Sequence, residues 1–190
     1  VVQHISSFFR QNTGNMQKRF IPVKREFDSL NQYAYIYRHI YGENLETPFH
    51  CTTGAAFAAD GARLCYPPAW VLATYRKNRR YLPRAYLHSV LHCIFFHLWI
   101  GGKRDREKWN LACDIAVEYT IDQMDKPSTR RILSWQRQTV YEELKQLKSG
   151  ISAAVIYRYL SGRKPAELIA LQKEFYTDDH RYWPKEEQKN

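Results

Sequence analysis

The chain has 190 residues and a formal net charge of +10, with 44% hydrophobic and 15% aromatic residues, so it can bury a substantial core and is not intrinsically disordered. Its longest apolar stretch, Cys93 to Ile100, is interrupted by His97 and is far shorter than the roughly 20 residues of a membrane span. We find no secretory signal, and the four cysteines show no C-x-x-C spacing. We therefore expect a soluble, cytoplasmic protein with reduced thiols.

The first third of the chain is predicted to contain helices that serve for packing. After it the residue pattern changes from helical spacing to strands and a turn. Residues 1–46 carry apolar positions at loosely helical spacing, broken by Gly14 and Pro22. Residues 47–66 contain the pair Asp60 and Gly61, which suits a two-residue hairpin turn between two short strands. This hairpin either offers an edge strand to a peptide beside the histidine helix described below, or is a purely structural ribbon.

Helices dominate the remainder. Residues 67–126 should form a short helix to about Tyr75, a longer one from about Pro83 to Ile100, and a third that Asp105 caps and that ends near Met124. Three further helical segments are expected within residues 127–184, near Thr139 to Lys148, Ser152 to Leu160 and Pro165 to Tyr176. Residues 185–190 should be a disordered tail. The predicted fold class is α+β, mainly α, with one domain over residues 1–184. The chain starts at Val1, and it is open whether the chain is a fragment of a longer protein.

His88 and His92 form the most informative motif in the chain. Positions four apart on a helix lie on one face, so both imidazoles can reach a single metal ion. Asp114 follows in the apolar run LACDIAVEY, where an ionised carboxylate needs a cation or strong hydrogen bonds. The pattern predicts a zinc site with these three ligands and an open fourth position. Zinc suits mixed nitrogen and oxygen ligands, although nickel, iron or manganese would also fit.

Two other residues near this motif have alternative roles. Glu118, four positions after Asp114, is expected to hold the second nitrogen of a ligand histidine. In the alternative arrangement, Glu118 binds the metal and Asp114 supports it. His97 would face the opposite side of a continuous helix, so we expect a structural hydrogen bond rather than a metal bond.

Ser89 stands where an HExxH zinc protease carries the glutamate that activates water. A serine hydroxyl cannot act as that base, and losing such a group typically lowers the rate by about 10²–10⁴. Either Glu118 or an acid from Asp178 or Asp179 replaces the base, or the domain binds metal without cleaving peptides. The second interpretation is favoured. The segment Asp178 to His180 would then be a helix-following turn or a polar cluster closing over the site.

Five segments of the chain together resemble the metallopeptidase domain that precedes a von Willebrand factor A-like domain in many bacterial proteins. They are the ADG turn at 59–61, the proline and aromatic segment at 66–70, the histidine helix at 88–97, RDREKWNLACD at 104–114 and DDHRYW at 178–183. The acid-bearing helix also resembles that of gluzincins, with the two acid types exchanged. The resemblance implies a zincin-like fold, a von Willebrand A-like domain in the full protein and a MoxR-type AAA ATPase partner.

The favoured function is therefore a zinc-binding, metallopeptidase-like domain of weak or absent activity that binds a peptide or protein partner. A basic nucleic-acid-binding module is the alternative, with Arg158, Arg163, Lys164 and Lys173 on a helix pair between Ser152 and Tyr176. Two basic clusters are either solvated helix ends or a surface for an anion, RNA or an acidic partner. They are Arg76, Lys77, Arg79 and Arg80, and Lys103, Arg104 and Arg106. A structural adaptor without metal is a third interpretation.

Overall fold

The computed structural model describes residues 49–50, 56–61, 64–78, 80–147 and 150–184, so the predictions for residues 1–46 and for the tail lie outside it. The described part is mainly helical with a small sheet, which confirms the predicted α+β class. The strands are β1 Phe49–His50, β2 Ala58–Ala59 and β3 Leu64–Tyr66. The helices are α1 Pro68–Lys77, α2 Tyr81–Ile94, α3 Arg106–Met124, α4 Trp135–Lys145, α5 Ala153–Leu160 and α6 Pro165–Phe175, followed by a 3-10 helix at His180–Tyr182.

The sheet has the strand order β1-β3-β2, with β2 antiparallel and β1 parallel to β3. Ala59 pairs with Leu64, so four residues connect the two antiparallel strands and the predicted two-residue turn is wrong in length. Gly61 has a φ of +98°, which favours glycine at this point of the connection. On its other edge β2 pairs with the chain's own Asp179, which occupies that edge near the site.

Helix α2 ends at Ile94, six residues before the predicted end at Ile100. Its end is a Schellman motif, because the backbone N–H of Phe96 donates to the carbonyl of Cys93 and that of His97 donates to the carbonyl of His92, both at 3.0 Å. Phe96 has a φ of +59° at the position that usually holds glycine. The predicted continuous helix is therefore wrong, since a left-handed phenylalanine carries no sequence signature of a helix end.

The other helix ends follow local signals more closely. The Asp105 side chain accepts a 2.8 Å hydrogen bond from the backbone N–H of Lys108, which confirms the predicted cap of α3. Ser134 caps α4 in the same way, so that helix begins four residues before the predicted Thr139. Ser152 caps α5, as its position in the sequence suggests.

Helix α3 is the centre of the described domain. It packs against α2, α5 and α6, and every residue from Leu111 to Ile121 is buried. A helix that is buried on all sides needs partners for its polar groups, and α3 carries Asp114 and Glu118 on its inner turns. No helix in the described ranges is both long and apolar enough to cross a membrane.

The cysteines differ in state. Cys93 and Cys113 are free and buried, as expected. Cys65 on β3 is disulfide-bonded, so the expectation of reduced thiols throughout is wrong for this residue.

Candidate metal centre

The three side chains predicted as metal ligands meet between α2 and α3. His88 and His92 lie one turn apart on α2, with their Nε2 atoms 2.8 Å from each other. Each of these atoms is 3.3 Å from Oδ1 of Asp114 on α3. Both histidines are fully buried and Asp114 is 7% exposed, so bulk water does not solvate their charges.

Two more donor groups enter from the turn that follows α6. Oδ1 of Asp178 lies 3.4 Å from Nε2 of His88, and Nε2 of His180 lies 3.1 Å from Oδ1 of Asp114. Asp178 and His180 also contact each other at 2.9 Å. The donor atoms of all five residues lie within 4.8 Å of one another, and this group could hold a metal ion.

The spacing of the donor atoms fits a transition metal. Ligand atoms about 2.0–2.1 Å from a tetrahedral zinc lie roughly 3.3 Å apart. The shorter separations in the cluster run from 2.8 to 3.4 Å, and Nε2 of His92 is 3.8 Å from Oδ1 of Asp178. Three imidazoles and two carboxylates are also the donor types that zinc and its neighbours accept. The site differs from the expected one in its number of donors, because five groups converge where three were predicted.

Glu118 supports this cluster from one turn further along α3. Its Oε1 is 2.9 Å from Nδ1 of His88, so an Nδ1–H proton there leaves the Nε2 lone pair facing the cluster. Its Oε2 accepts hydrogen bonds from Arg84 at 2.7 Å and from Arg137 at 2.6 Å. Burial alone would raise the pKa of Glu118, but the His88 hydrogen bond and the two guanidinium groups outweigh it and lower that pKa.

This arrangement bears on the two roles considered for Glu118. A general base needs a free lone pair and a pKa near the working pH. Both oxygens of Glu118 are already engaged, and its pKa is far too low. The geometry matches the role of fixing the His88 tautomer and disfavours that of a substitute base.

Ser89 is buried at 1% exposure and faces the same cluster. Its hydroxyl donates a 2.7 Å hydrogen bond to Oδ2 of Asp178, while Oδ1 of that carboxylate faces the histidines. The residue at the position of the protease glutamate therefore orients a carboxylate from another part of the chain. Asp179 instead accepts hydrogen bonds from the backbone and side chain of Arg181 and is not part of the cluster.

His97 is adjacent to the cluster but is not a member of it. The Schellman motif brings its Nδ1 to 3.1 Å from Nδ1 of His92, on the side away from Asp114. The expectation of a hydrogen-bonding role agrees with this contact. The reason given for it, the opposite face of a continuous helix, is wrong because α2 has already ended.

Charges in the cluster set opposite protonation tendencies in two of its histidines. Burial alone would lower the pKa of His180, but Asp114 and Asp178 outweigh it and raise that pKa to about 9. Burial lowers the pKa of His92 to about 4, against the opposing effect of Asp178. The same histidines keep the pKa values of Asp114 and Asp178 below their usual range.

Sequence reasoning placed Asp178 and His180 near the site only as one of two alternatives. The signal was weak, because a D-D-H run after a helix is also an ordinary capped turn. Here Asp179 does cap the 3-10 helix, and its backbone N–H donates to the carbonyl of Phe57, which pins the turn to the sheet. The turn therefore has a structural role and also places two donor groups, Asp178 and His180, in the cluster.

The fold and the cluster define a mainly helical domain with a candidate metal centre. The chain belongs to the family described as "Putative metallopeptidase domain", whose model matches residues 48–179. The matched segment includes four of the five cluster residues and ends one residue before His180. No curated protein and no solved structure matches the chain.

Proposed function

We propose that this domain binds one divalent transition metal, with zinc preferred, and uses the centre to bind a peptide or protein partner rather than to cleave it. His88, His92 and Asp114 are the ligands proposed from the sequence, and Asp178 and His180 join them. The observation that carries the proposal is the convergence of five nitrogen and oxygen donors, four of them on buried residues and one on the half-buried His180. A bound metal would supply a Lewis acid there.

The number and burial of the donors support a binding role. Catalytic zinc sites usually have three protein ligands and an open position for water, whereas structural sites are closed by protein groups. Here Asp178 and His180 raise the number of protein donors to five, two more than such a catalytic site usually has. Ser89 cannot take a proton from water, and Glu118 is held by two arginines.

An active peptidase is the second candidate, and one contact favours it. The Asp178 carboxylate is held by Ser89, next to the position from which an HExxH glutamate would act. In that case Asp178 would be the general base and only the remaining four residues would hold the metal. The resemblance to domains that precede a von Willebrand A-like domain leads us to propose such a neighbour, and a MoxR-type ATPase partner, for either candidate.

Metal analysis of protein purified without added zinc tests the proposal. We expect close to one equivalent of a transition metal, or uptake of one equivalent on zinc titration against a chromophoric chelator. Loss of an outer-shell partner typically lowers metal affinity about 10- to 100-fold, so His180→Asn, which removes a donor, should lower the zinc affinity by at least that factor. The control Asp125→Asn changes an exposed carboxylate outside the cluster and should leave the zinc affinity unchanged. Less than about a tenth of an equivalent, with no uptake, would overturn the proposal.

Peptide cleavage separates the two candidates. Metal-loaded protein is incubated with casein and a peptide library, beside the same protein treated with a chelator. The binding role predicts no chelator-sensitive cleavage. Chelator-sensitive cleavage that Asp178→Asn abolishes while the metal is retained would instead establish the second candidate.

A further inference from the structure

A cavity of about 330 Å³ lies beside the metal cluster, behind the end of α2 and the start of α3. Its volume is at the lower end of the range for small-molecule sites, about 300–1,000 Å³, and suits one amino-acid side chain. The lining residues that matter here are His97, Trp99, Arg104, Arg106, Trp109 and Trp183.

Two residues of the cavity wall contact members of the metal cluster. His97 lines the cavity and has its Nδ1 3.1 Å from Nδ1 of His92. Trp183 also lines the cavity, and its ring stacks on that of His180 with 3.8 Å between centroids. A group bound in the cavity would therefore be one side chain away from the metal cluster.

The cavity has an excess of positive charge. Among the described residues, neither Arg104 nor Arg106 has a carboxylate within 4.0 Å. Arg104 lies over the Trp109 ring at 4.8 Å and donates to the backbone carbonyls of Ile100 and Gly101, so its guanidinium is held in place. Arg106 donates to the Trp183 carbonyl at 3.4 Å. Fixed cations of this kind are suited to binding a carboxylate.

The indole of Trp183 adds a hydrogen-bond donor. Trp183 is 5% exposed, and its Nε1 is the one buried side-chain nitrogen or oxygen in the described ranges that has no hydrogen-bond partner. Buried indole N–H groups usually have an acceptor, so an orphaned donor on a residue that lines the cavity is a feature that a polar ligand would account for.

We propose that this cavity binds a carboxylate group of a peptide, and that Arg104 and Arg106 recognise it while the three tryptophans enclose the residue that carries it. The carboxylate belongs either to an acidic side chain or to a free C-terminus. This inference rests on the proposed function, since it names the class of peptide that the metal centre would receive. A single-residue cavity with aromatic walls fits a peptide better than a nucleic-acid backbone, which needs an extended basic groove.

The test uses three alanine-based peptides and the metal-loaded protein. The first has one central glutamate and blocked ends, the second has glutamine instead, and the third has no acidic side chain but a free C-terminal carboxylate. Binding is followed by tryptophan fluorescence, because three of the five tryptophans line the cavity. We expect the glutamate or the free-carboxylate peptide to bind about tenfold or more tightly than the glutamine peptide, and the tighter of the two identifies the source.

Two variants and a charge-matched control link the preference to this cavity. Arg104→Gln and Arg106→Gln should each weaken carboxylate binding by about 10- to 100-fold. Arg158→Gln removes an exposed charge on α5, outside the cavity, and should have no effect. Because Arg104 also binds two carbonyls, thermal denaturation checks that its variant folds, and Arg106→Gln tests the inference if that variant does not.

Three results would overturn the inference. They are equal binding of all three peptides, no binding of any peptide, and binding of an oligonucleotide that is weaker in both arginine variants. Metal content is measured on each sample. If the protein retains its metal but shows no preference for a carboxylate, this inference alone is wrong. Carboxylate binding by a protein that takes up no metal would instead remove the proposed function.

Discussion

The hydroxyl of Ser89 donates a 2.7 Å hydrogen bond to the carboxylate of Asp178, 89 positions further along the chain. This bond joins the histidine helix α2 to the turn after α6. It also gives the serine in the HSVLH motif a defined role, which is to orient a carboxylate of the cluster.

Replacing Ser89 tests that role. Ser89→Ala should lower the free energy of unfolding by about 1.5–3 kcal/mol, since a buried hydrogen bond to a charged acceptor is lost. Ser89→Glu should be more destabilising, because it puts a second buried carboxylate against Asp178, so restoring the protease motif should not create a protease. Urea denaturation of the metal-free proteins measures both. A Ser89→Glu protein as stable as the wild type would contradict this description of the contact.

Glu118 should be more important to stability than any exposed acid. Glu118→Gln removes an anion that Arg84 and Arg137, which are 3% and 0% exposed, share. Arg84 keeps Asp122 at 2.7 Å and Arg137 keeps Glu174 at 2.7 Å. A buried charge left unpaired costs about 3–5 kcal/mol, so with these partners retained we expect a smaller loss, about 1.5–3 kcal/mol of unfolding free energy.

The matched control for Glu118→Gln is Asp125→Asn. Asp125 pairs with Arg130 at 2.8 Å, but both side chains are more than 60% exposed. Asparagine tolerates the positive φ of this position, so the change should be below about 1 kcal/mol. Denaturant unfolding measures both variants. Similar losses of unfolding free energy in the two would show that burial does not strengthen the ion pairs of Glu118.

The metal-free protein should be most stable near pH 6.5. The pKa of His180 is raised to about 9, so its stabilising charge is fully present below pH 6.5 and is lost as the pH rises through 9. The pKa of His92 is lowered to about 4, so its contribution is present above pH 6.5 and is lost as the pH falls towards 4. Unfolding free energies from pH 4 to pH 10 test this. His180→Asn should make the alkaline side less steep, and His88, whose pKa is also raised, should account for what is left of that slope. An unchanged alkaline side in that variant would refute the assignment.

Metal binding should release protons at pH 7. In the metal-free protein His180 is protonated at that pH, and the neighbouring carboxylates also raise the pKa of His88 against the effect of burial. A metal ligand must have a free lone pair, so these protons leave when the metal binds. Calorimetric titrations with zinc in buffers of different ionisation enthalpy count them, and we expect one to two. A buffer-independent heat would mean that His180 is neutral before binding or does not bind the metal.

Among the glycines of the described turns, Gly61 should be the one whose substitution lowers the free energy of unfolding most. Its φ is +98°, and a Cβ atom there would lie 2.3 Å from Cζ2 of Trp99. Gly61→Ala should therefore cost about 2–4 kcal/mol of unfolding free energy through backbone strain and overpacking. Gly162→Ala is the control, because its nearest contact is an ordinary 3.9 Å and the change should be neutral or stabilising by less than about 1 kcal/mol. Equal melting temperatures for the two variants would rule out this close approach.

Local patterns in the sequence determined much of the site. The i, i+4 pairs His88/His92 and Asp114/Glu118 each share a helix face, because helical periodicity is a short-range property. Caps such as Asp105 are also local, which is why the start of α3 was predictable. The two pairs lie on consecutive helices, α2 and α3, which neighbour each other in the fold, and so three of the five cluster residues could be named.

What lies far apart in the chain was decided only by the tertiary structure. Asp178 and His180 reach the cluster because the turn after α6 is pinned to β2 and to Ser89, and no local pattern encodes that meeting. The end of α2 was missed for a related reason. A phenylalanine in the left-handed region is unfavourable by itself, and Phe96 is 52% exposed. The two Schellman hydrogen bonds and the burial of His97 and Leu98 directly after it offset that cost. Short-range periodicity thus specified the histidine and acid pairs, and long-range packing determined how many donors surround the site and whether it is open.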